Sequence, residues 1–238
     1  MNNNLILIVE DDVAIRNLIG TALATEDYKY HVAVNGAQAI IEASTSQPDI
    51  ILLDLGLPDM DGVAVIEKIR SWSKVSIIVI TARSEDKDKI EALDAGGDDY
   101  LTKPFSTTEL LARIRSTCRR ISYLKEAMNH ESSIFVNGTL KVDYSLQCAY
   151  VGEEELHLTP TEYKILYLLS QNVGRVLTHA YLTKEIWGST FESDIASLRV
   201  HVATLRKKIE KLSRCETSIK THIGVGYCMI KQEGGASL

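Results

Sequence analysis

Residues 50–62 read IILLDLGLPDMDG, and this stretch restricts the possible folds more than any other part of the chain. A short unbroken run of Ile and Leu, bounded by turn residues, describes a strand buried on both faces, as in a parallel sheet covered by helices. Asp54 follows that run directly, and open α/β sheets gather their chemistry just beyond the carboxyl ends of their strands. Either Asp54 closes a turn or caps a helix, or it is a reactive group held at the mouth of the sheet.

The flanking sequence supplies the rest of such a sheet. Strands are predicted at Leu5–Val9, Tyr30–Val34, Ile50–Leu53, Val75–Ile80 and Asp99–Leu101. Amphipathic helices alternate with them at Val13–Ala24, Ala37–Ser44, Val63–Arg70, Glu85–Ala95 and Thr107–Ile121, with Gly36, Gly62 and Gly96–Gly97 at their ends. Strand–helix alternation with short connections makes a parallel sheet with helices on both faces. Right-handed crossovers leave few topologies, and the expectation is a flavodoxin-like, doubly wound α/β domain of five parallel strands. Its switch point falls between the first and third strands.

That topology brings particular side chains together. Glu10 and Asp11 follow the first strand, Asp54 the third; Thr81 ends the fourth, and Lys103 lies just past the fifth. Three carboxylates in a partly dehydrated cleft repel one another. A hard divalent cation relieves that repulsion, and Mg²⁺, which takes one or two carboxylates, a backbone carbonyl, waters and a phosphate oxygen, is the natural candidate. With a lysine and a threonine hydroxyl aimed at the same point, the cleft suits a phosphoryl group, whose transfer needs positioning and charge neutralisation. Asp54 is then the nucleophile and forms an aspartyl phosphate.

Charge is informative once divided. Residues 1–121 hold 13 Lys and Arg against 19 Asp and Glu, net −6, while residues 122–238 hold 13 of each, net zero. Inside the neutral half, residues 194–220 hold seven bases and three acids, net +4. Cys118, Cys148, Cys215 and Cys228 form no C-x-x-C pair and the histidines no i, i+4 pair, which argues against zinc or redox motifs. The opening MNNNLILIVEDD lacks a basic segment before its five-residue apolar run, unlike a secretory signal. No apolar stretch approaches the roughly 20 residues of a membrane helix. A cytoplasmic location without a membrane partner is expected.

The second half has a different texture. Residues 122–133 are polar and aperiodic and are expected to be a linker between a domain at 1–121 and another at 134–232, with 233–238 a tail. Ile134–Leu158 alternates with period two between turns at Asn137–Gly138 and Val151–Gly152, predicting a small antiparallel sheet. Thr159, Pro160 and Glu162 spell a capping box for a helix running to Gly174, followed by a helix at Ala180–Trp187 ending at Gly188. A third helix, capped by Asp194, carries Ile195, Leu198, Val202, Leu205, Ile209 and Leu212 as one apolar stripe. Ser197, Arg199, His201, Thr204, Lys207, Lys208 and Lys211 are assigned to its opposite face, and Arg206 joins them as a candidate DNA contact. A docked helix with a cationic outer face is the geometry of major-groove recognition. The hairpin in IKTHIGVGYCMI then reads as a wing, adding Lys220, His222 and Tyr227 as candidate contacts.

The segments LIVEDD, DIILLDLGLPDMDG, IIVITARSE and GGDDYLTKPFSTTELLARIR over about residues 4–121 resemble the receiver domain of bacterial two-component response regulators. LTPTEYKIL, LRVHVATLRKKIE and GVGY over about 134–232 resemble the winged-helix effector domain of the OmpR/PhoB subfamily, and within it the regulators of Kdp potassium-transport systems. The resemblance implies that Asp54 is the phosphoacceptor and that Glu10, Asp11, Asp54 and the Gly56 carbonyl hold Mg²⁺, with Asp12 behind them. It implies that Lys103 pairs with the phosphate ahead of a cis peptide at Pro104, and that Thr81 and Tyr100 form a switch in which Tyr100 turns inward after phosphorylation. It further implies a phosphorylation-dependent homodimer bridged by Lys89 with Glu109, Asp99 with Arg113 and Asp98 with Arg120, beside an apolar strip of Ile90, Leu93 and Ala112. The implied partners are a sensor histidine kinase, double-stranded promoter DNA and RNA polymerase, with potassium-transport genes as targets. Ile223 and Cys228 stand where many relatives carry wing arginines, so less cationic minor-groove contact is expected. Gly97 replaces a common alanine.

Rival readings have distinct requirements. An aspartyl-phosphate hydrolase of another α/β family carries a second aspartate two residues on, and here that position is Gly56. A phosphorelay histidine protein needs an acceptor on an exposed helix, whereas His130 falls in the expected linker. A phosphorylation-independent DNA-binding regulator of the same fold is the remaining alternative. In the reading adopted, the chain is no turnover enzyme, and its chemistry is confined to its own phosphorylation and dephosphorylation.

Overall fold

The computed structural model describes residues 4–83, 85–127, 134–188, 192–213 and 218–232, in two compact units, Met1–Cys118 and Arg119–Leu238. The first unit alternates β1 (Leu5–Val9), α1 (Val13–Thr25), β2 (Lys29–Ala33), α2 (Gly36–Ser46), β3 (Ile50–Leu53), α3 (Gly62–Arg70), β4 (Ser76–Thr81), α4 (Asp86–Asp94) and β5 (Asp99–Thr102) before α5 (Thr107–Ala127) begins. The strands pair in parallel in the order β2-β1-β3-β4-β5, so the order reverses between β1 and β3. Every residue of β3 is buried, and each such aliphatic side chain contributes roughly 1.5–3 kcal/mol. That burial fixes the strand whose next residue is Asp54.

Register carries the ends of the strands to a common level. Val9 pairs with Leu53 and Leu53 with Val79, while Thr81 pairs with Thr102. The loops leaving β1, β3, β4 and β5 therefore open on one edge. Their geometry is set by helix caps, because the first N–H groups of a helix need acceptors. Asp12 Oδ1 accepts from the N–H groups of Ala14 and Ile15 to start α1, Asn35 caps α2, and Asp61 accepts from Val63 N–H to start α3.

Helix α5 continues to Ala127, so residues 122–127, read as the start of a linker, are helical; residues 128–133 lie outside the described residues. In the second unit β6 (Ile134–Asn137), β7 (Leu140–Asp143), β8 (Cys148–Val151) and β9 (Glu154–Glu155) form an antiparallel sheet in chain order. Then come α6 (Pro160–Ser170), β10 (Val176–Thr178), α7 (His179–Trp187), α8 (Glu192–Ser213), β11 (Ile219–His222) and β12 (Gly226–Met229). The last strands form a three-stranded sheet in the order β10-β12-β11. One core joins Val142 of the four-stranded sheet, Tyr227 and Met229 of the three-stranded sheet, and Leu166, Leu169, Leu182, Leu198 and Leu205 of the three helices.

In the second unit, three features differ most from the sequence reading. Helix α6 stops at Ser170, and Gly174, at φ +78°, sits in the following turn with its N–H on the Met229 carbonyl at 2.8 Å. Helix α8 is already formed at Glu192, so Asp194 is a buried residue of its first turn and not its cap. Strand β10 has only three residues, too short for a period of two to register.

Candidate functional site

At the switch point the Lys103 ammonium donates to Asp54 Oδ2 at 2.6 Å and to Glu10 Oε2 at 2.7 Å. Asp54 is 7% exposed and Glu10 1%. The exposed Asp11 completes a set whose ligand oxygens, one from each of Glu10, Asp11 and Asp54, lie within 4.8 Å of one another. The backbone secures each member. Asp54 N–H donates to Val9 O at 3.0 Å, and Gly56 N–H donates to Asp54 Oδ1 at 3.1 Å. Lys103 N–H reaches Thr81 O at 2.8 Å ahead of a cis Lys103–Pro104 peptide. Arg16, which sequence reasoning did not single out, donates through Nη1 to the Glu10 and Asp11 carbonyls at 2.9 and 3.1 Å and holds that loop from outside.

The electrostatics follow. Burial is the main cause raising the Glu10 pKa, opposed by the bond from Lys103 and reinforced by the Asp54 charge. Burial also works against the Lys103 ammonium, but hydrogen bonds to Asp54 and Glu10 outweigh it and raise its pKa. Three carboxylates and one ammonium leave negative charge over, and all the donors are hard oxygens. The oxygens of Glu10, Asp11 and Asp54 could hold a hard divalent cation such as Mg²⁺. Asp12 caps α1 through Oδ1, and its N–H donates to Glu10 Oε1 at 3.3 Å.

Thr81 is buried, and its Oγ1 accepts from Arg83 N–H at 3.3 Å. Tyr100 is already turned inward, 5% exposed, with its hydroxyl donating to Arg83 O at 2.6 Å. Burial pushes its pKa up to about 12. Arg83 also donates to Asp61 Oδ2 at 2.7 Å, tying the loop after β4 to the start of α3. Asp59, two residues earlier, accepts from Gly36 and Ala37 N–H at 2.8 and 2.9 Å. Asp59, Asp61 and Arg83 thus build the rim of the cleft, and no spacing in the sequence announces those pairings.

The expected dimer residues separate into two groups. Ile90 and Ala112 are exposed, with Lys89 and Glu109 partly so. Lys89 Nζ lies 5.9 Å from the Tyr100 ring centroid. Leu93 is 2% exposed, so the apolar strip loses its middle member to the core. Arg113 Nη1 bonds both Asp99 oxygens at 2.9 and 3.0 Å, with both residues buried. Asp98 is 0% exposed, paired with Arg70 at 2.8 Å and with Ile77 N–H at 3.0 Å. Arg120 falls in the second unit and donates to Thr161 Oγ1 at 2.6 Å. Asp98 and Arg120 thus each hold a partner within their own unit.

On α8 the stripe of Leu198, Val202, Leu205 and Ile209 is buried, and Arg199, Lys207 and Lys211 are exposed. Ser197 and His201, placed on the outer face by sequence, are 2% and 1% exposed. At about 100° per residue His201 lies only about 40° around the axis from Leu205, and its ring packs 5.9 Å from Trp187. Thr204 is half-buried, bonded to Val200 O. Arg206 donates to Ile219 O and Thr221 Oγ1, with its guanidinium over the Tyr227 ring. Lys208 donates to Glu162 Oε2 at 2.6 Å. Tyr227 is 4% exposed and belongs to the core, whereas Lys220, His222 and Ile223 stand out on the hairpin.

Two family descriptions match the chain: response regulator receiver domain over residues 6–115 and transcriptional regulatory protein, C terminal, over residues 152–229. The chain is 42% identical over 230 residues to the transcriptional regulatory protein KdpE of Staphylococcus aureus, covering 95% of this chain and 96% of that one. It is also 42% identical over 222 residues to the KDP operon transcriptional regulatory protein KdpE of Escherichia coli K12, covering 93% and 97%. Among solved structures, a RitR mutant aligns with a TM-score of 0.80 at 27% identity, covering 98% of this chain and 100% of that one. Response regulator DrrB, a Thermotoga maritima OmpR/PhoB homolog, aligns with a TM-score of 0.50 at 26% identity, covering 95% and 98%.

Proposed function

The chain belongs to the OmpR/PhoB-type two-component response regulators and is KdpE-like, and from that membership we propose that phosphorylation of Asp54 governs its binding to promoter DNA. The observation that carries this reading is the meeting of Lys103 with Asp54 and Glu10 at 2.6 and 2.7 Å, across sequence separations of 49 and 93 residues. The phosphoryl donor is a phosphohistidine on a sensor kinase. An Asp54 oxygen forms the P–O bond as the P–N bond breaks; the histidine nitrogen keeps the electron pair and takes up a proton. Glu10, Asp11, Asp54 and the Gly56 carbonyl would hold Mg²⁺, which would supply charge neutralisation at the phosphoryl oxygens. Lys103 adds a second positive charge, and the Thr81 hydroxyl turns from Arg83 N–H toward the new phosphate. Water later attacks the phosphoryl group, breaking its bond to Asp54, which returns to a carboxylate as inorganic phosphate leaves.

Readout follows from the loop after β4. Moving Thr81 disturbs Arg83, whose carbonyl holds Tyr100, and so biases the surface carrying Lys89, Ile90, Glu109 and Ala112 toward a second copy. The dimer then presents two α8 helices to paired half-sites in promoter DNA and recruits RNA polymerase. The likeness to two KdpE proteins supports genes of a Kdp potassium-transport system as the targets, regulated from the cytoplasm.

The test compares the native chain with Asp54→Asn, each with and without a small phosphodonor plus Mg²⁺, by sedimentation and by DNA binding. A donor- and Mg²⁺-dependent gain in both, lost in the variant, is the expected result. Equal binding in all four conditions would sink it in favour of phosphorylation-independent binding.

A further inference from the structure

The bases of α8 are not equivalent. Arg199, Lys207 and Lys211 are exposed and fall within an arc of about 120° at roughly 100° per residue. Lys208 lies about 60° beyond that arc and is turned back toward α6. Its ammonium meets Glu162 Oε2 at 2.6 Å, a carboxylate whose side chain is only 2% exposed. The same oxygen accepts the Thr159 N–H at 2.8 Å, closing the capping box of α6. One buried carboxylate thus serves the start of α6 and the middle of α8, 46 residues apart.

We propose that Lys208 is a positioning residue that sets the rotation and depth of α8 for reading base edges, and that it makes no phosphate contact. The inference rests on the DNA-binding reading above. To reach a phosphate Lys208 would have to give up its 2.6 Å pair with a buried carboxylate, and breaking a buried pair is unfavourable. Phosphate neutralisation falls instead to Arg199, Lys207 and Lys211. The two roles separate experimentally. A phosphate contact appears in the salt dependence of binding to any duplex, at about 0.9 of slope per contact. A positioning residue appears in the preference between sequences.

The experiment uses the full chain, a duplex selected from a random-sequence pool by the native protein, and the unselected pool, each titrated against salt at a temperature where circular dichroism shows every variant folded. Lys208→Met is expected to keep the native slope on the pool and to lose tenfold or more of the preference for the selected duplex, with Lys208→Arg restoring it. Lys207→Met and Lys211→Met are expected to lower the slope by about 0.9 each and to keep the preference. Glu162→Gln provides the second arm if Lys208→Met does not fold: the preference falls and the slope is unchanged. A Lys208→Met slope reduced as in Lys207→Met overturns the proposal, and so does an unchanged preference in Glu162→Gln. A native chain that selects no duplex overturns the DNA-binding reading itself.

Discussion

Single side chains at the cleft divide by how they are held. Lys103 balances two carboxylates that would otherwise face each other in a nearly enclosed space. Lys103→Ala is expected to cost about 3 kcal/mol of stability, in part recovered by millimolar Mg²⁺, as read by thermal unfolding with and without the ion. In the second unit Asp143 accepts from the Ser145 hydroxyl at 2.6 Å and the Leu146 N–H at 2.9 Å, and these bonds lower its pKa. A carboxylate lowered on folding contributes stability that is present above the ordinary Asp range and is lost as pH falls through its folded value. Asp143→Asn should therefore cost about 1 kcal/mol near neutrality, and the difference from native should vanish in acid. A pH-independent difference would contradict this. Glu10, Asp11, Asp54, Thr81 and Lys103 could be read from the sequence because each follows or ends a strand. The partnerships of Arg83 with Asp61 and Lys208 with Glu162 could not, since no periodicity says which distant side chains meet. Nor does a sequence choose the inward rotamer of Tyr100.

Elements were legible where pattern and caps agree. The sheet strands fall within a residue or so of their expected bounds, and the Thr159 capping box is present as written. Thr159→Ala should cost about 1 kcal/mol, measurable as a lowered denaturation midpoint of the second unit. Where no cap coincides with a pattern, the boundary drifts, as at the start of α8 and along α5. His201 shows the limit of assigning helix faces by eye, because the boundary of a buried stripe is decided by what packs over it, here Trp187. At the start of α3, Gly62 is required by close approach: an added Cβ would lie 2.5 Å from Leu55 Cα and 2.7 Å from Asp54 O. Both contacts are backbone, so the strand end itself has to move. Gly62→Ala is expected to slow labelling of Asp54 by a small phosphodonor tenfold or more while the second unit's DNA binding is unchanged; an unaltered labelling rate would show that the loop absorbs the methyl group freely.

For the molecule as a whole, the division into two units was readable from the change of texture, while the extension of α5 was hidden by polar residues that carry no stripe. Net charge is −6 over the chain, so the proposed binding to DNA would have to draw on the local bases of α8 and not on a general positive field. If phosphorylation pairs two copies on adjacent half-sites, the slope of log affinity against log salt should roughly double relative to the unphosphorylated chain; equal slopes would mean that a single copy binds in both states. The crowd of acids around the cleft has one more consequence. Asp12, Asp59 and Asp61 are spent on the N–H groups of α1, α2 and α3, whereas Asp11 and Asp54 face the opening. In a saturation scan of every position scored by transcriptional output, all five would be depleted together and look alike. Scored instead by abundance of folded protein, the three that close helices would still be depleted, while Asp11 and Asp54 would tolerate replacement, separating the acids that build the receiver from those that do its chemistry.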